Sequence, residues 1–268
     1  MDVGLSLFEW KRFLVTLRSW VFREVLSVRG HHFVARRFVP GSVVLDLGAH
    51  SGEFSHELIA RWNCRCVAVE ANPRLCRRIG VDSQLMVINA AIDSDSGKRD
   101  FFIHPNPEAS SLYHVGDVSP GAGVESVRTL SLADLYCEVG IERAALVKMD
   151  VEGAEVAILN DVPDSLLQRC DQITVEFHDS CISAISSADV EHVIRRVQAS
   201  GFFAFSFSGT YTDVLFVRRD AGLLTAWEAF FIRNVLRYVF ALQRRLQGKG
   251  AAVGSSLHDS CASRHEPE

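Results

Sequence analysis

The chain has 268 residues, of which 48% are apolar, and this length and composition suit one α/β domain with appended segments. The net charge of −5 conceals an asymmetry, because residues 1–40 carry a net +4 and residues 221–268 a net +2, which leaves −11 for the middle. So acidic a centre argues against a nucleic-acid substrate, since contacts to phosphates need a basic groove.

The seven cysteines form no C-x-x-C pair, which gives little support to a zinc site or a disulfide framework. A reducing, cytoplasmic setting is therefore the simplest expectation. Six charged side chains between Glu9 and Glu24 interrupt the apolar first thirty residues, which rules out a membrane span there and fits a signal peptide poorly.

Residues 1–40 are predicted to form an amphipathic helical segment, because apolar side chains from Leu7 to Val21 recur at spacings of three and four. Pro40-Gly41 ends this segment. The following stretch V-V-L-D-L-G-A-H-S-G, residues 43–52, predicts a buried strand and a tight glycine turn that starts a helix. A second strand then ends in Glu70, and together these are the front half of a Rossmann-like nucleotide site.

The glycine pattern indicates which nucleotide is bound. In a dinucleotide site the second glycine lets the backbone approach a pyrophosphate, and here His50 takes that position. Glu70 suits a ribose diol, because a carboxylate accepts hydrogen bonds from both hydroxyls; its alternative role is a charge at the start of the next helix. S-adenosylmethionine fits better than NAD. The expected cofactor residues are Asp46, Gly48, Ala49, His50, Gly52, Glu70, Ala71, Asn72, Ala91 and Ile92.

Three further strands are predicted: one over residues 87–93, one that begins at Leu146, and one over residues 173–178. The fourth runs into an acidic turn, where Asp150 either positions the cofactor or acceptor or only caps a helix. At the fifth, Glu176 and His178 share one face, and a histidine at a strand tip suits a general base, although a structural role fits equally well. The expected catalytic residues are therefore His178, Asp150 and Glu176, without a metal.

The remaining segments follow from composition and periodicity. Residues 104–126 are rich in proline and glycine and predict a long loop. Residues 202–208 and 213–218 predict a hairpin. An amphipathic helix is predicted over 220–247, and the Gly/Ser/Ala-rich residues 248–268 are expected to be disordered.

Four motifs resemble the FkbM-type methyltransferases: D-L-G-A-H-S-G from Asp46, V-E-A-N-P from Val69, K-M-D-V-E-G-A-E from Lys148, and E-F-H from Glu176. The resemblance covers residues 41–219. It implies a class I, Rossmann-like α/β fold with a mostly parallel seven-stranded sheet, a C-terminal antiparallel hairpin, helices on both faces and extra terminal helices. It also implies S-adenosylmethionine-dependent O-methylation of a sugar, glycolipid or secondary metabolite.

The chain departs from the family where Ala71 and Ser131 replace the common proline and aspartate, and neither change removes an expected catalytic group. Three alternatives stay open. They are a NAD-dependent oxidoreductase, a metal-assisted O-methyltransferase that uses Asp150, Glu176 and Asp179, and a non-catalytic Rossmann-like scaffold. The expected partner is a small-molecule hydroxyl acceptor, with no nucleic acid, at most peripheral membrane contact, and a homodimer that could form through the terminal helices.

Overall fold

The computed structural model describes residues 25–103, 111–112, 123–178, 185–207 and 211–236. Twelve strands are found in these ranges: β1 Val25–Val28, β2 His31–Val34, β3 Val43–Leu47, β4 Arg65–Glu70, β5 Leu85–Asn89, β6 Ala91–Ile92, β7 Gly97–Ile103, β8 Gly123–Leu130, β9 Leu146–Met149, β10 Gln172–Glu176, β11 Phe202–Ser206 and β12 Asp213–Arg218. The α-helices are α1 Glu53–Trp62, α2 Pro73–Cys76, α3 Leu132–Glu138, α4 Glu155–Asp161, α5 Asp164–Leu167, α6 Ser187–Ala199 and α7 Ala226–Phe231.

The main sheet has seven strands in the order β11-β12-β10-β9-β3-β4-β5. Strands β10, β9, β3, β4 and β5 pair in parallel, whereas β12 is antiparallel to both of its neighbours. The predicted mostly parallel sheet with a C-terminal antiparallel hairpin is therefore confirmed. Because the strand order reverses between β3 and β9, a crevice opens at their carboxyl ends, where ligands bind in folds of this type.

Helices cover both faces of this sheet. Because side chains alternate along each strand, every central strand packs against both helical layers. Leu45 and Leu47 pack in one buried cluster with residues of α3, α4, α5 and α6. Val44, which directly precedes Leu45, packs in a second cluster with Phe54 and Leu58 of α1. The central strands are consequently apolar on both sides, as parallel sheets between two helical layers are.

The prediction of a helix is wrong for residues 25–34, where β1 and β2 form an antiparallel hairpin. Arg29 and Gly30 connect the strands with φ of 52° and 89°, and two left-handed residues match the right-handed twist of a tight hairpin. The Gln172 side chain holds the hairpin against β10, since it bonds both the N–H and the C=O of Val34 at 2.8 Å. Residues 1–24 of the predicted segment lie outside the described ranges.

A small second sheet, of order β6-β8-β7, lies beside the main one. It divides the predicted third strand, so that β5 stays in the main sheet while Ala91–Ile92 pair with β8. The loop predicted over 104–126 ends early, because β8 already begins at Gly123 and pairs with β7. The loop's other residues, apart from Ser111 and Leu112, lie outside the described part.

The predicted helix over 220–247 begins only at Ala226, where the Thr225 side chain and Glu228 form a capping box. A π-helical turn, Ile232–Leu236, continues it to the end of the described ranges. The rest of that helix and the tail 248–268 lie beyond them. None of the helices described has the length and apolar run needed to cross a bilayer.

Candidate active site

A cleft of about 820 Å³ lies at the carboxyl ends of β3, β4, β9 and β10. It brings together ten of the thirteen residues expected at the site: Gly48, Ala49, His50, Glu70, Ala71, Ala91, Ile92, Asp150, Glu176 and His178. The other three, Asp46, Gly52 and Asn72, do not line it. Strand order sets the layout, because β4 and β10 lie three strand spacings apart, about 14 Å.

The glycine turn after β3 packs against the acidic turn after β9. Gly48 has φ of +77°, and a Cβ on it would lie 1.7 Å from the backbone oxygen of Asp150. Only glycine fits there, because any larger residue would collide with a fixed backbone atom. His50 also has a left-handed φ, of 50°, and its exposed side chain lies on the cleft wall. The two turns thus pack together and form one continuous surface at the base of the cleft.

The Glu70 carboxylate is held entirely by backbone donors. The N–H of His50 donates to Oε2 and the N–H of Asn72 to Oε1, both at 2.7 Å. Burial raises the pKa of Glu70 even though these two donors act to lower it. Each oxygen keeps a second lone pair, so the carboxylate can still accept hydrogen bonds from a diol.

Three expected cofactor residues support the cleft from behind instead. Asp46 is fully buried, where its Oδ2 accepts a 2.7 Å hydrogen bond from Ser55 Oγ. Gly52 begins α1, and a Cβ there would lie 2.7 Å from Ile79 Cγ2. Asn72 caps α2 through the N–H of Arg74. These three residues do not line the cleft, and their expected contacts with the cofactor stay a prediction.

The wall next to Glu70 is apolar. Besides the expected Ala91 and Ile92, it includes Leu75, Ala90, Phe101 and Leu112. Phe101 lies on β7 and reaches the cleft because β6 and β7 both pair with β8. Such a wall, adjacent to a carboxylate, suits the adenine and ribose of one nucleoside.

At the other end, Lys148 is buried among acidic groups. Its Nζ lies 2.6 Å from the backbone oxygen of Gly48, 3.1 Å from Asp150 Oδ2 and 3.4 Å from Asp46 Oδ1. Burial acts to lower the pKa of Lys148, but the charges of Asp150 and Asp46 outweigh it and raise the pKa. Conversely, burial acts to raise the pKa of Asp150, yet Lys148, His31 and His178 hold it below its usual range. The two groups form a charged pair under the glycine turn.

His178 is surrounded by carboxylates. Its Nδ1 lies 2.9 Å from Glu155 Oε1, and its Nε2 lies 3.3 Å from Glu152 Oε2 and 3.7 Å from Asp150 Oδ1. Burial acts to lower the pKa of His178, but the bond to Glu155 and the three negative charges raise it to about 10. The ring is therefore protonated at neutral pH, and this opposes the expected role of His178 as the base.

Near His178, the pKa values of the Glu152 and Glu176 carboxylates are raised. Burial, reinforced by Asp150 and other acidic neighbours, raises the pKa of Glu152 to about 8 although His178 acts to lower it. The pKa of Glu176 is raised by desolvation and by Asp150. A carboxylate whose pKa lies near 8 is a far better proton acceptor than an ordinary glutamate.

The β1–β2 hairpin adds two residues that the sequence analysis missed. His31 is buried, with Nε2 3.6 Å from Asp150 Oδ2, and Arg29 pairs with Glu53 at the rim. The signal for them was the Arg-Gly pair between two short apolar runs, which is a hairpin pattern. Lys148 and Glu155 belong to the K-M-D-V-E-G-A-E motif, but the residues of that motif alone do not indicate which side chains they contact.

Within the described ranges, two sets of donors could hold a metal ion: His31, Asp150 and Glu176, and Asp150, Glu152 and His178, with ligand atoms within 4.8 Å of one another in each set. Imidazole and carboxylate donors suit manganese, iron or zinc. Both sets share Asp150, so an ion would compete with the ammonium of Lys148 for Oδ2. Asp179 of the alternative magnesium set lies outside the described residues.

The sequence is similar to those of known methyltransferases. A family model described as the methyltransferase FkbM domain matches residues 46–203. The chain is 26% identical over 246 residues to the 31-O-demethyl-FK506 methyltransferase FkbM of Streptomyces tacrolimicus, which covers 76% of this chain and 91% of that protein. It is 24% identical over 198 residues to the hexuronic acid methyltransferase AglP of Haloferax volcanii, covering 70% and 77% respectively.

Among solved structures, the fold is similar to that of the fibrillarin pre-rRNA processing protein of Methanococcus jannaschii. The sequence identity is 13%, the TM-score is 0.42, and the match covers 75% of this chain and 73% of that one.

Proposed function

The chain belongs to the FkbM family of methyltransferases, and on that premise we propose that it transfers a methyl group from S-adenosylmethionine to a hydroxyl oxygen of a small molecule. The names of two relatives support this acceptor class, since one is a 31-O-demethyl-FK506 methyltransferase and the other a hexuronic acid methyltransferase. A sugar or a similarly hydroxylated metabolite fits the polar lining near Asp150, Glu176 and His31.

The observation that carries the proposal is the division of one cleft into two chemically different ends. The end at β4 and β5 combines Glu70 with an apolar wall. The end at β9 and β10 holds, among the residues the structure describes, carboxylates in excess of cations. A sulfonium ion is stabilised by such surplus negative charge, whereas a pyrophosphate would be repelled by it. NAD is disfavoured for the same reason, and also by the side chain of His50.

S-adenosylmethionine, held by Glu70 and the glycine turn, would supply a methyl group on a positively charged sulfur; the acceptor oxygen would bond to the methyl carbon as the carbon–sulfur bond breaks, and S-adenosylhomocysteine would leave. The protein's part is alignment and proton removal. Glu70 and the glycine turn fix the nucleoside. Asp150, kept ionised by Lys148, provides a permanent negative charge at the opposite end.

We assign proton removal to Glu152, in place of His178. The hydroxyl proton passes to the Glu152 carboxylate as the oxygen–methyl bond forms. His178 remains an imidazolium that contacts Glu152 from behind. The pKa of Glu152 requires that kcat/KM rise with pH up to about 8 and level off above it, because the base must be deprotonated. If His178 were the base, the rise would continue to about 10.

Calorimetric titration with S-adenosylmethionine, S-adenosylhomocysteine and NAD tests the proposal. We expect binding of the first two and none of NAD. Methyl transfer is then measured with a panel of polyhydroxylated acceptors and radiolabelled cofactor. Preferential binding of NAD would refute the proposal, and binding without turnover across the panel would favour the scaffold alternative.

Location and partners stay predictions. We propose a cytoplasmic enzyme that acts on a small molecule, not on a nucleic acid. Peripheral membrane contact and a homodimer through the terminal helices concern mainly residues 1–24 and 237–247, outside the described ranges. Sedimentation with anionic liposomes at low and high salt tests the first, and sedimentation equilibrium tests the second.

A further inference from the structure

Glu155 is a buried acidic residue that the cofactor and base assignments leave without a role. It is the first residue of α4, directly after the acidic turn, and its side chain is fully buried. A buried carboxylate without an ion pair or several hydrogen bonds is costly, so its partners indicate what it does.

One oxygen of Glu155 accepts three hydrogen bonds. The backbone N–H groups of Val151 and Gly153 donate to Oε1 at 3.0 and 3.1 Å, and His178 Nδ1 donates to it at 2.9 Å. The other oxygen, Oε2, is buried and has no hydrogen-bond partner among the described residues. A single atom therefore joins the turn after β9 to the end of β10.

These contacts fix the backbone on both sides of Glu152. That residue has φ of 55°, a left-handed conformation that glutamate rarely adopts, and its two neighbours are the residues bound to Glu155. Strained backbone of this kind persists only where surrounding contacts hold it, and it is concentrated at functional sites.

The same atom fixes the ring of His178. Because Nδ1 carries a hydrogen that is donated to Glu155, Nε2 is turned toward Glu152 and Asp150. The imidazole consequently points into the cleft with its second N–H, in the way a buried carboxylate orients a histidine in other catalytic sites.

We propose that Glu155 is the positioning residue of the methyl-transfer site, which sets the backbone of Glu152 and the orientation of His178 through one shared oxygen. This inference rests on the proposed function, in which Glu152 accepts the proton. Glu155 itself lies behind both groups and is not among the residues that line the cleft.

The test is Glu155→Gln, which keeps an oxygen acceptor of the same reach and removes the negative charge. We expect kcat to fall roughly 10- to 100-fold, since small misplacements of reacting groups have effects of that size. The dissociation constant for S-adenosylmethionine should stay within about twofold, because Glu70 and the glycine turn are untouched. The titration midpoint of His178, followed by nitrogen-15 NMR, should move down from about 10.

In the part of the chain that the structure describes, the charged groups that face His178 are Asp150, Glu152, Glu155 and Glu176. Glu155→Asp serves as the second variant, because it retains the charge and shortens the reach by one methylene. It should leave the His178 midpoint closer to that of the native protein than Glu155→Gln does, while kcat still falls.

Asp189→Asn is the matched control, since Asp189 also accepts a backbone N–H at a helix start, that of Ser186, but is exposed and is not among the residues that line the cleft. It should reduce stability and leave kcat and the His178 titration unchanged. The NMR titration is done without cofactor or acceptor, so it decides the orienting role even if methyl transfer fails. An unmoved His178 midpoint in Glu155→Gln, or a kcat within twofold of the native value, overturns the proposal.

Discussion

The two ends of the cleft differ in how their carboxylates are held. At the β4 end a single carboxylate, Glu70, is held by two backbone N–H groups and faces an apolar wall. At the β9–β10 end five carboxylates, among the described residues, gather around Lys148 and His178: Asp46, Asp150, Glu152, Glu155 and Glu176. The carboxylate at the first end is held by backbone hydrogen bonds, and those at the second interact with several nearby charges.

The difference teaches where function is sensitive. Removal of the single Glu70 carboxylate should mainly weaken binding of the cofactor. Removal of one member of the coupled cluster should also change the protonation of its neighbours. Substitutions at the β4 end should therefore change affinity, and those at the β9–β10 end should change rate. The following predictions test this separation.

Glu152→Gln should produce the largest effect. It removes the proposed proton acceptor and keeps the shape, so kcat should fall by about 10²–10⁴-fold while affinity for S-adenosylmethionine barely changes. Steady-state kinetics and calorimetry measure the two quantities. Glu57→Gln, a surface glutamate paired with Arg61, is the control and should behave like the native protein. Near-native turnover would remove Glu152 from the mechanism.

Glu70→Ala should produce the complementary result. Loss of hydrogen bonds to a charged group should weaken binding of S-adenosylmethionine by about 1.5–3 kcal/mol, or roughly 10- to 150-fold. The turnover of the saturated enzyme should change far less. Because Glu70 also holds two backbone N–H groups, thermal unfolding is measured alongside. A folded variant with unchanged affinity would contradict the ribose assignment, and an equal loss of kcat would break the separation between the two ends.

Gly48 lies against the backbone of Asp150, where the two ends of the cleft meet. Its substitution should therefore lower the free energy of unfolding more than substitution of a turn glycine in open space. Gly140→Ala introduces a left-handed alanine with no neighbour within 4 Å, which should cost about 1–2 kcal/mol of unfolding free energy. Gly48→Ala adds a collision with the backbone of Asp150, so its loss should exceed about 3 kcal/mol. Urea denaturation compares them. Equal losses would mean that the two turns can separate without cost.

Removal of divalent cations should have the smallest effect. Since Lys148 already contacts Asp150 Oδ2, EDTA should leave kcat within about a factor of two. Inhibition that Mn²⁺ reverses would contradict this expectation and support the metal-assisted alternative at His31, Asp150 and Glu176.

The sequence predicted the fold, and it indicated that Glu70 lies beside the glycine turn, because both signals are local. The partners of Glu70 lie 2 and 20 residues away, and the glycine turn and strand tip are continuous motifs. The alternation of apolar strands and helices likewise specified the parallel sheet without any long-range information.

The β9–β10 end was only partly predictable, because its contacts join distant segments. Lys148 bonds the oxygen of Gly48, 100 residues away, and Glu155 meets His178 across 23 residues. His178 was correctly placed in the cleft, but its protonation depends on neighbours that no local pattern reveals. The β1–β2 hairpin was missed because the helical spacing that ends at Val21 was extended into it.

The hairpin that Gln172 secures to β10 has a consequence for how this protein is divided into units. The family similarity begins at residue 46, yet His31 and Arg29 form part of the cleft wall. The segment that the family model matches is thus smaller than the segment that lines the cleft. A shortened protein starting at residue 41 would keep every strand of the main sheet and lose one side of this cleft.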